Sequence, residues 1–150
     1  MEPKYSPKHS DRVEIYTERK KPGRMKALAV LIEEDTDMRS LMRYLLENAG
    51  VEVIVLQDDS FLIERIWRLN PDVVLIDLQW PTTERLALIS QLRKSVTTGA
   101  LPIIALVMDT AQGEESLKVG ATASVRKPDD VRLLPDMIDQ VIAQPCSRWA

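Results

Sequence analysis

Two patterns of apolar residues alternate along the chain between residues 27 and 143. Short continuous apolar runs, such as Ala-Leu-Ala-Val-Leu-Ile at 27–32, are typical of parallel strands that are buried on both faces. Between these runs, apolar residues recur at i, i+3 and i+4, which is the spacing of an amphipathic helix. The runs predict five strands, each followed by a helix, at 27–32, 51–56, 73–76, 102–107 and 124–125.

Polar, glycine and proline residues mark the ends of the predicted helices. Asp35 and Thr36 are N-cap candidates for the first helix, and Gly50 ends it. Ser60 is the cap candidate for the second helix, which runs to residue 69. The remaining helices are predicted over 83–94, over 111–119 and in a last segment with Pro135 in its first turn.

The helical periodicity also predicts which side chains face the core. In the first helix these include Leu41 and Ala49, and in the third helix they include Leu86 and Ile89. Five strand–helix units in strict alternation predict an α/β domain, a doubly wound parallel sheet with helices on both faces. Right-handed crossovers leave few topologies for such a chain.

Length and charge divide the chain into one domain with two short extensions. The 150 residues fit a single domain, which we assign to 27–143, followed by a tail at 144–150. Residues 1–26 form a basic N-terminal extension with eight Lys or Arg against four acids. The whole chain has a net charge of −3, which does not favour binding to nucleic acid.

The sequence gives no sign of a membrane or an oxidising compartment. A single cysteine excludes an internal disulfide. No apolar run reaches the roughly 18–20 residues of a membrane span, and the N-terminus lacks the apolar region of a secretory signal. We therefore expect a cytoplasmic protein.

Charged residues cluster where the predicted strands end. The first strand is followed by Glu33, Glu34 and Asp35, the third ends at Asp77, and the fifth leads to Lys127. In an open doubly wound sheet, ligands bind beyond the carboxyl ends of the strands. Converging carboxylates there could hold a hard cation such as Mg²⁺, and a lysine could neutralise a phosphoryl group. The alternative is that these acids only cap helices and maintain solubility.

Other kinds of site fit the sequence poorly. No glycine-rich phosphate loop is present. One cysteine and one histidine, His9, do not supply a zinc site or a Ser-His-Asp arrangement. In Asp77-Leu-Gln79, glutamine stands where haloacid-dehalogenase phosphatases have a second aspartate. We therefore do not predict an enzyme.

The segments around these residues resemble the receiver domains of bacterial two-component response regulators over about residues 27–143. Leu31-Ile-Glu-Glu-Asp-Thr-Asp-Met-Arg39 resembles the acidic turn of that family, and Pro71-Asp-Val-Val-Leu-Ile-Asp-Leu-Gln-Trp-Pro81 resembles its phosphoacceptor segment. Leu101-Pro-Ile-Ile-Ala-Leu-Val107 is similar to the switch strand, and Gly120-Ala121 with Lys127-Pro128 is similar to the segment of the phosphate-binding lysine. The resemblance implies a flavodoxin-like fold with strand order 2-1-3-4-5 and a cis peptide before Pro128.

The resemblance also implies residue roles at the site. Asp77 matches the phosphoacceptor, and Lys127 matches the charge partner of the phosphate. Mg²⁺ would be held by Glu33, Glu34, Asp77 and the backbone carbonyl of Gln79. Glu33 and Glu34 replace the usual aspartates, and each is one methylene longer in a site that needs near-octahedral geometry at about 2.0–2.1 Å.

Several positions depart from the family pattern. Val107 stands at the position of the switch Thr or Ser and lacks its hydroxyl, and Ser124 stands at the position of the switching Tyr or Phe. Arg85 takes a position that is usually glycine, in the loop after the active site, and Trp80 is a large apolar residue beside Asp77.

Two functions therefore remain open. The first is a stand-alone phosphorelay receiver: a histidine kinase or phosphotransfer protein passes a phosphoryl group to Asp77, and signalling runs through contacts with a downstream protein. The second is a phosphorylation-independent pseudo-receiver, a protein-interaction module whose 111–143 face binds a partner or forms a homodimer.

Overall fold

A computed structural model describes residues 25–79 and 81–143. Residues 1–24, Trp80 and the predicted tail at 144–150 lie outside this described part. The five strands are β1 (Leu28–Ile32), β2 (Glu52–Val55), β3 (Val73–Asp77), β4 (Ile103–Val107) and β5 (Ala123–Arg126). The helices are α1 (Thr36–Asn48), α2 (Leu62–Leu69), α3 (Thr82–Lys94), α4 (Thr110–Lys118) and α5 (Leu134–Ala143), the last preceded by a 3₁₀ turn at Val131–Leu133.

The strands form one parallel sheet in the order β2-β1-β3-β4-β5. This confirms the predicted doubly wound, flavodoxin-like fold. Because all five strands run the same way, their carboxyl ends lie along a single edge. Within residues 25–79 and 81–143, none of the helices has the length and apolar character needed to cross a membrane.

Alternate side chains of the central strands enter two separate cores. On β3, Val73 and Leu75 join the core covered by α1 and α5, whereas Val74 and Ile76 join the core covered by α2 and α3. Both sets are buried, which explains the continuous apolar runs in the sequence. The sheet is therefore covered on both faces, and its carboxyl edge is where the loops that follow the strands begin.

Helix ends follow the sequence signals in some places and not in others. Asp35 caps α1, and its Oδ1 accepts the backbone N–H of Met38 at 2.8 Å. Ser60 does not cap α2, which corrects the prediction. The N-cap residue is Phe61, which makes no side-chain cap hydrogen bond, and Asp59 forms the turn before it by accepting the backbone N–H of Phe61 at 2.9 Å.

The predicted core positions of two helices need correction. Leu41 and Ala49 of α1 are exposed, because the sheet covers only the narrower stripe that contains Met42 and Leu46. In α3, Leu86 is only half-buried, and Leu88 faces the core with Ile89. The inward face of α3 also includes a charged residue, Arg85, which belongs to the first turn of the helix rather than to a loop.

Candidate functional site

Three charged side chains meet at the carboxyl edge of the sheet. Glu33 follows β1, Asp77 ends β3, and Lys127 follows β5. The strands β1 and β3 are neighbours, with Ile32 paired to Ile76, so the two carboxylates lie side by side. Lys127 reaches them past the end of β4, where its backbone N–H donates to the carbonyl of Val107 at 2.8 Å.

Lys127 bridges the two carboxylates. Its Nζ donates to Glu33 Oε1 at 2.8 Å and to Asp77 Oδ1 at 2.7 Å. All three side chains are at most 5% exposed. Charges buried to this extent are stable only when they are paired and hydrogen-bonded, and this cluster meets that condition. The peptide bond between Lys127 and Pro128 is cis, as the resemblance implied.

The two oxygens of Asp77 differ in their surroundings. Oδ1 accepts the lysine proton and also the backbone N–H of Gln79 at 3.0 Å. Within residues 25–79 and 81–143, no hydrogen bond reaches Oδ2. The arrangement therefore holds the carboxylate in one orientation and leaves the electron pairs of one oxygen available to an incoming group.

The position of Glu33 in this cluster raises the pKa of its carboxyl group. Its burial raises the pKa of the carboxyl above the usual value, the hydrogen bond from Lys127 lowers it, and the nearby charge of Asp77 raises it again, for a net increase. Glu33 Oε2 also accepts the backbone N–H of Asp35 at 3.1 Å, so the acidic turn and the N-terminus of α1 are joined.

A second ionic cluster is centred on Arg85, whose side chain is completely buried. Its Nε donates to Asp58 Oδ2 at 3.1 Å, one terminal nitrogen donates to Glu34 Oε2 at 3.1 Å, and the other donates to the backbone carbonyl of Asp77 at 3.0 Å. The side chains of Glu34 and Asp58 are 67% and 31% exposed.

Neither Asp58 nor the role of Arg85 was predicted from the sequence. Asp58 lies in the loop after β2, so the rule that strand-end acids converge applied to it as well. For Arg85, the only signal was a charged residue on the apolar stripe of a helix.

The residues present do not fit the expected magnesium site. Receiver domains hold Mg²⁺ with converging oxygens, but Glu33 is bound by Lys127 and Glu34 is bound by Arg85. The Thr82 hydroxyl donates to the carbonyl of Leu78 at 2.7 Å and lies 3.2 Å from the carbonyl of Gln79, the fourth expected ligand. In the described part of the chain, no three Asp, Glu, His or Cys side chains come together in a way that could bind a metal ion.

The two expected switch positions line a groove between α4 and the strands β4 and β5. Val107 is buried at the end of β4, and half-buried Ser124 on β5 is paired with Ala105, two residues before Val107. With Gly113 and Leu117 of α4, they border a groove of about 360 Å³. The small side chain of Ser124 leaves this space unfilled, where the family pattern would have an aromatic ring.

A family model for the response regulator receiver domain matches residues 29–139. The chain belongs to this family. It is a receiver domain of phosphorelay signalling, and such domains are signalling modules that are not typically enzymes. They interact with histidine kinases or phosphotransfer proteins.

Curated proteins are similar to this chain in sequence over most of its length. The phosphate regulon transcriptional regulatory protein PhoB of Rhizobium meliloti is 34% identical over 115 residues, which are 76% of this chain and 48% of that protein. This receiver chain spans about a third to a half of the curated relatives it matches.

Solved receiver structures share the fold at lower identity. A response regulator from Chloroflexus aurantiacus has a TM-score of 0.73 at 21% identity, covering 79% of this chain and 99% of that one. The receiver domain of a sensor histidine kinase from Pseudomonas aeruginosa has a TM-score of 0.70 at 21% identity, with the same coverage. That structure contains a magnesium ion coordinated in its active site cleft.

Proposed function

We propose that this receiver domain accepts a phosphoryl group on Asp77 and that Lys127 holds the product. The observation that carries the proposal is the buried ion pair between Lys127 Nζ and Asp77 Oδ1 at 2.7 Å. It lies at the carboxyl edge of the sheet, where doubly wound folds bind their ligands. Residues 27–143 would form this domain, with 1–26 and 144–150 as extensions.

The chemistry follows from the two oxygens of Asp77. Oδ2 attacks the phosphorus of a phosphohistidine on the donor protein, so an O–P bond forms as the P–N bond breaks. The electron pair of the broken bond stays on the imidazole nitrogen, and the product is an aspartyl phosphate. Lys127 pairs with the added negative charge, because a charge-assisted hydrogen bond to a phosphoryl oxygen is among the stronger protein interactions.

Phosphoramidate, a small phosphoryl donor with the same P–N bond, tests this function without knowledge of the kinase. The wild-type protein is incubated with the donor and Mg²⁺, and its intact mass is measured. We expect a gain of one phosphoryl group, which Asp77→Asn abolishes. Asp129→Asn is the matched control, because Asp129 has a side chain that is 68% exposed, and it should retain the gain. A folded wild-type protein that gains no mass contradicts the proposal.

A pseudo-receiver remains the second candidate, and the switch positions favour it. Val107 cannot donate a hydrogen bond to a phosphoryl oxygen, and Ser124 offers no aromatic ring to move. The face formed by 111–143 carries two exposed leucines, Leu117 at 48% and Leu133 at 46%. In this function, a partner or a second copy would bind that face whether or not Asp77 is phosphorylated.

Light scattering across a range of concentrations tests the homodimer form of this candidate. A dimer that Leu117→Glu dissociates, and that is present in the Asp77→Asn variant, would support it. A monomer at all concentrations would contradict it. Tyr44→Glu is the matched control, because Tyr44 is exposed on α1, outside the 111–143 face.

A further inference from the structure

Arg85 places a permanent positive charge among the acidic residues at the carboxyl edge of the sheet. The Arg85 side chain is 0% exposed, although arginine is among the residues least often buried. All three guanidinium nitrogens donate to oxygen atoms, at 3.0–3.1 Å. A buried arginine with every nitrogen used is held in one position, so its charge has a fixed place in the fold.

The three acceptors come from three adjacent strand ends. Glu34 follows β1, Asp58 follows β2, and the Asp77 carbonyl is at the end of β3. These are oxygen ligands of the type that a hard divalent cation takes, and they include the backbone of the proposed phosphoacceptor. The guanidinium group donates to one oxygen of each of them.

The protein's own cations already bind the carboxylates at this edge. Lys127 and Arg85 pair with four separate carboxylates and leave a formal charge of −2 spread over them; the four belong to Glu33, Glu34, Asp58 and Asp77. A divalent ion placed among these oxygens would face two positive charges at close range. A lysine can lose its proton to relieve such repulsion, but arginine remains charged at all accessible pH values.

We infer that Arg85 is the resident cation of this receiver and takes the place of the divalent metal ion. The consequence of this inference for phosphorylation rests on the proposed function. Arg85 would position the carboxylates at the carboxyl edge of the sheet and neutralise part of their charge, while Lys127 pairs with the phosphoryl group. Arg85 acts as a positioning residue through the Asp77 backbone and touches no reacting atom. The domain is accordingly expected to operate without Mg²⁺.

Binding of Mn²⁺, a paramagnetic substitute for Mg²⁺, tests the inference without any phosphoryl transfer. Free Mn²⁺ is measured by its electron paramagnetic resonance signal as protein is added. We expect the wild-type protein to leave millimolar Mn²⁺ free. Arg85→Met removes the charge at similar length and should bind Mn²⁺ at least about tenfold more tightly than wild type, which corresponds to about 1.4 kcal/mol. Adding Asp58→Asn to this variant should weaken the new site, because Asp58 is one of the two carboxylates that Arg85 binds in the wild-type protein.

Arg85→Lys is the matched control, because it keeps a positive charge and should not gain a metal site. Wild-type protein that binds Mn²⁺ as tightly as Arg85→Met overturns the inference, as does a folded Arg85→Met protein that binds none. The wild-type titration alone decides the question if Arg85→Met does not fold. A wild-type protein that gains no mass from phosphoramidate would count against the proposed function only, since metal binding is measured separately.

Discussion

The stability contributed by the Arg85 cluster should depend mainly on Asp58 rather than on Glu34. Both carboxylates lie 3.1 Å from the guanidinium group, but the Glu34 side chain is 67% exposed and that of Asp58 is 31% exposed. Water screens the more exposed pair, whose contribution should be about 0.2–1 kcal/mol. The hydrogen bond between Asp58 and a buried charged donor should contribute about 1.5–3 kcal/mol.

Urea unfolding of Asp58→Ala and Glu34→Ala, followed by circular dichroism, measures this difference. We expect Asp58→Ala to lower the free energy of unfolding by at least about 1 kcal/mol more than Glu34→Ala, with unchanged m-values. Glu64→Ala is the control, because Glu64 belongs to an exposed i, i+4 pair and should cost less than about 0.5 kcal/mol. Equal losses for Asp58→Ala and Glu34→Ala would refute the assignment of Asp58 as the main counter-ion.

A double-mutant cycle then tests whether the effect runs through Arg85. In an Arg85→Met background, Asp58→Ala should cost little, because the charge that it pairs with is gone. Residues in direct ionic contact show interaction energies of about 0.5–3 kcal/mol. A cost for Asp58→Ala that is the same in both backgrounds would mean that Asp58 stabilises the protein by some other contact.

Three further predictions concern charged groups elsewhere in the fold. Lys127→Met should lower the free energy of unfolding by about 3–5 kcal/mol, since it leaves Glu33 and Asp77 buried without their partner. Adding Glu33→Gln to this variant should recover part of the loss, as measured by urea unfolding. Arg93→Met should cost about 1.5–3 kcal/mol and speed amide exchange in the segment after α3, because its guanidinium donates to the carbonyls of Gly99 and Leu101 there and to that of Gly120 after α4. Unchanged exchange would argue against this. Partial desolvation and the neighbouring carboxylate of Asp136 raise the pKa of the Asp139 carboxyl, so its ionised form disfavours folding above that pKa, by a small amount because the side chain is exposed. Asp139→Asn should therefore raise the urea midpoint near neutral pH, and the gain should vanish as the pH falls below about 4.

Most of the fold could be predicted because each strand and helix has a local signal. Continuous apolar runs identified the central strands β1, β3 and β4, since a parallel strand covered on both faces has no polar alternation. The edge strand β5 had only Ser124-Val125 as its signal. The errors came where the local signal of a helix end was ambiguous. Ser60 is a common capping residue, but α2 begins after Phe61, which makes no side-chain cap hydrogen bond.

The candidate site could be predicted in part. Glu33, Asp77 and Lys127 meet because parallel strands end at one edge, which a sequence can indicate. The partner of Glu34 could not be found in this way, because Arg85 is distant in sequence and lies on the apolar stripe of a helix. Whether a strand-end acid faces a metal ion or an arginine depends on packing between elements, which no local pattern encodes.

The most direct test of the account compares phosphorylation with and without metal ions. Wild-type protein is incubated with phosphoramidate in excess Mg²⁺ or in excess chelator, and the mass gain on Asp77 is followed over time. The account predicts similar rates in both conditions, because Arg85 and Lys127 supply the positive charge. Phosphorylation that proceeds with Mg²⁺ and stops with chelator would contradict it.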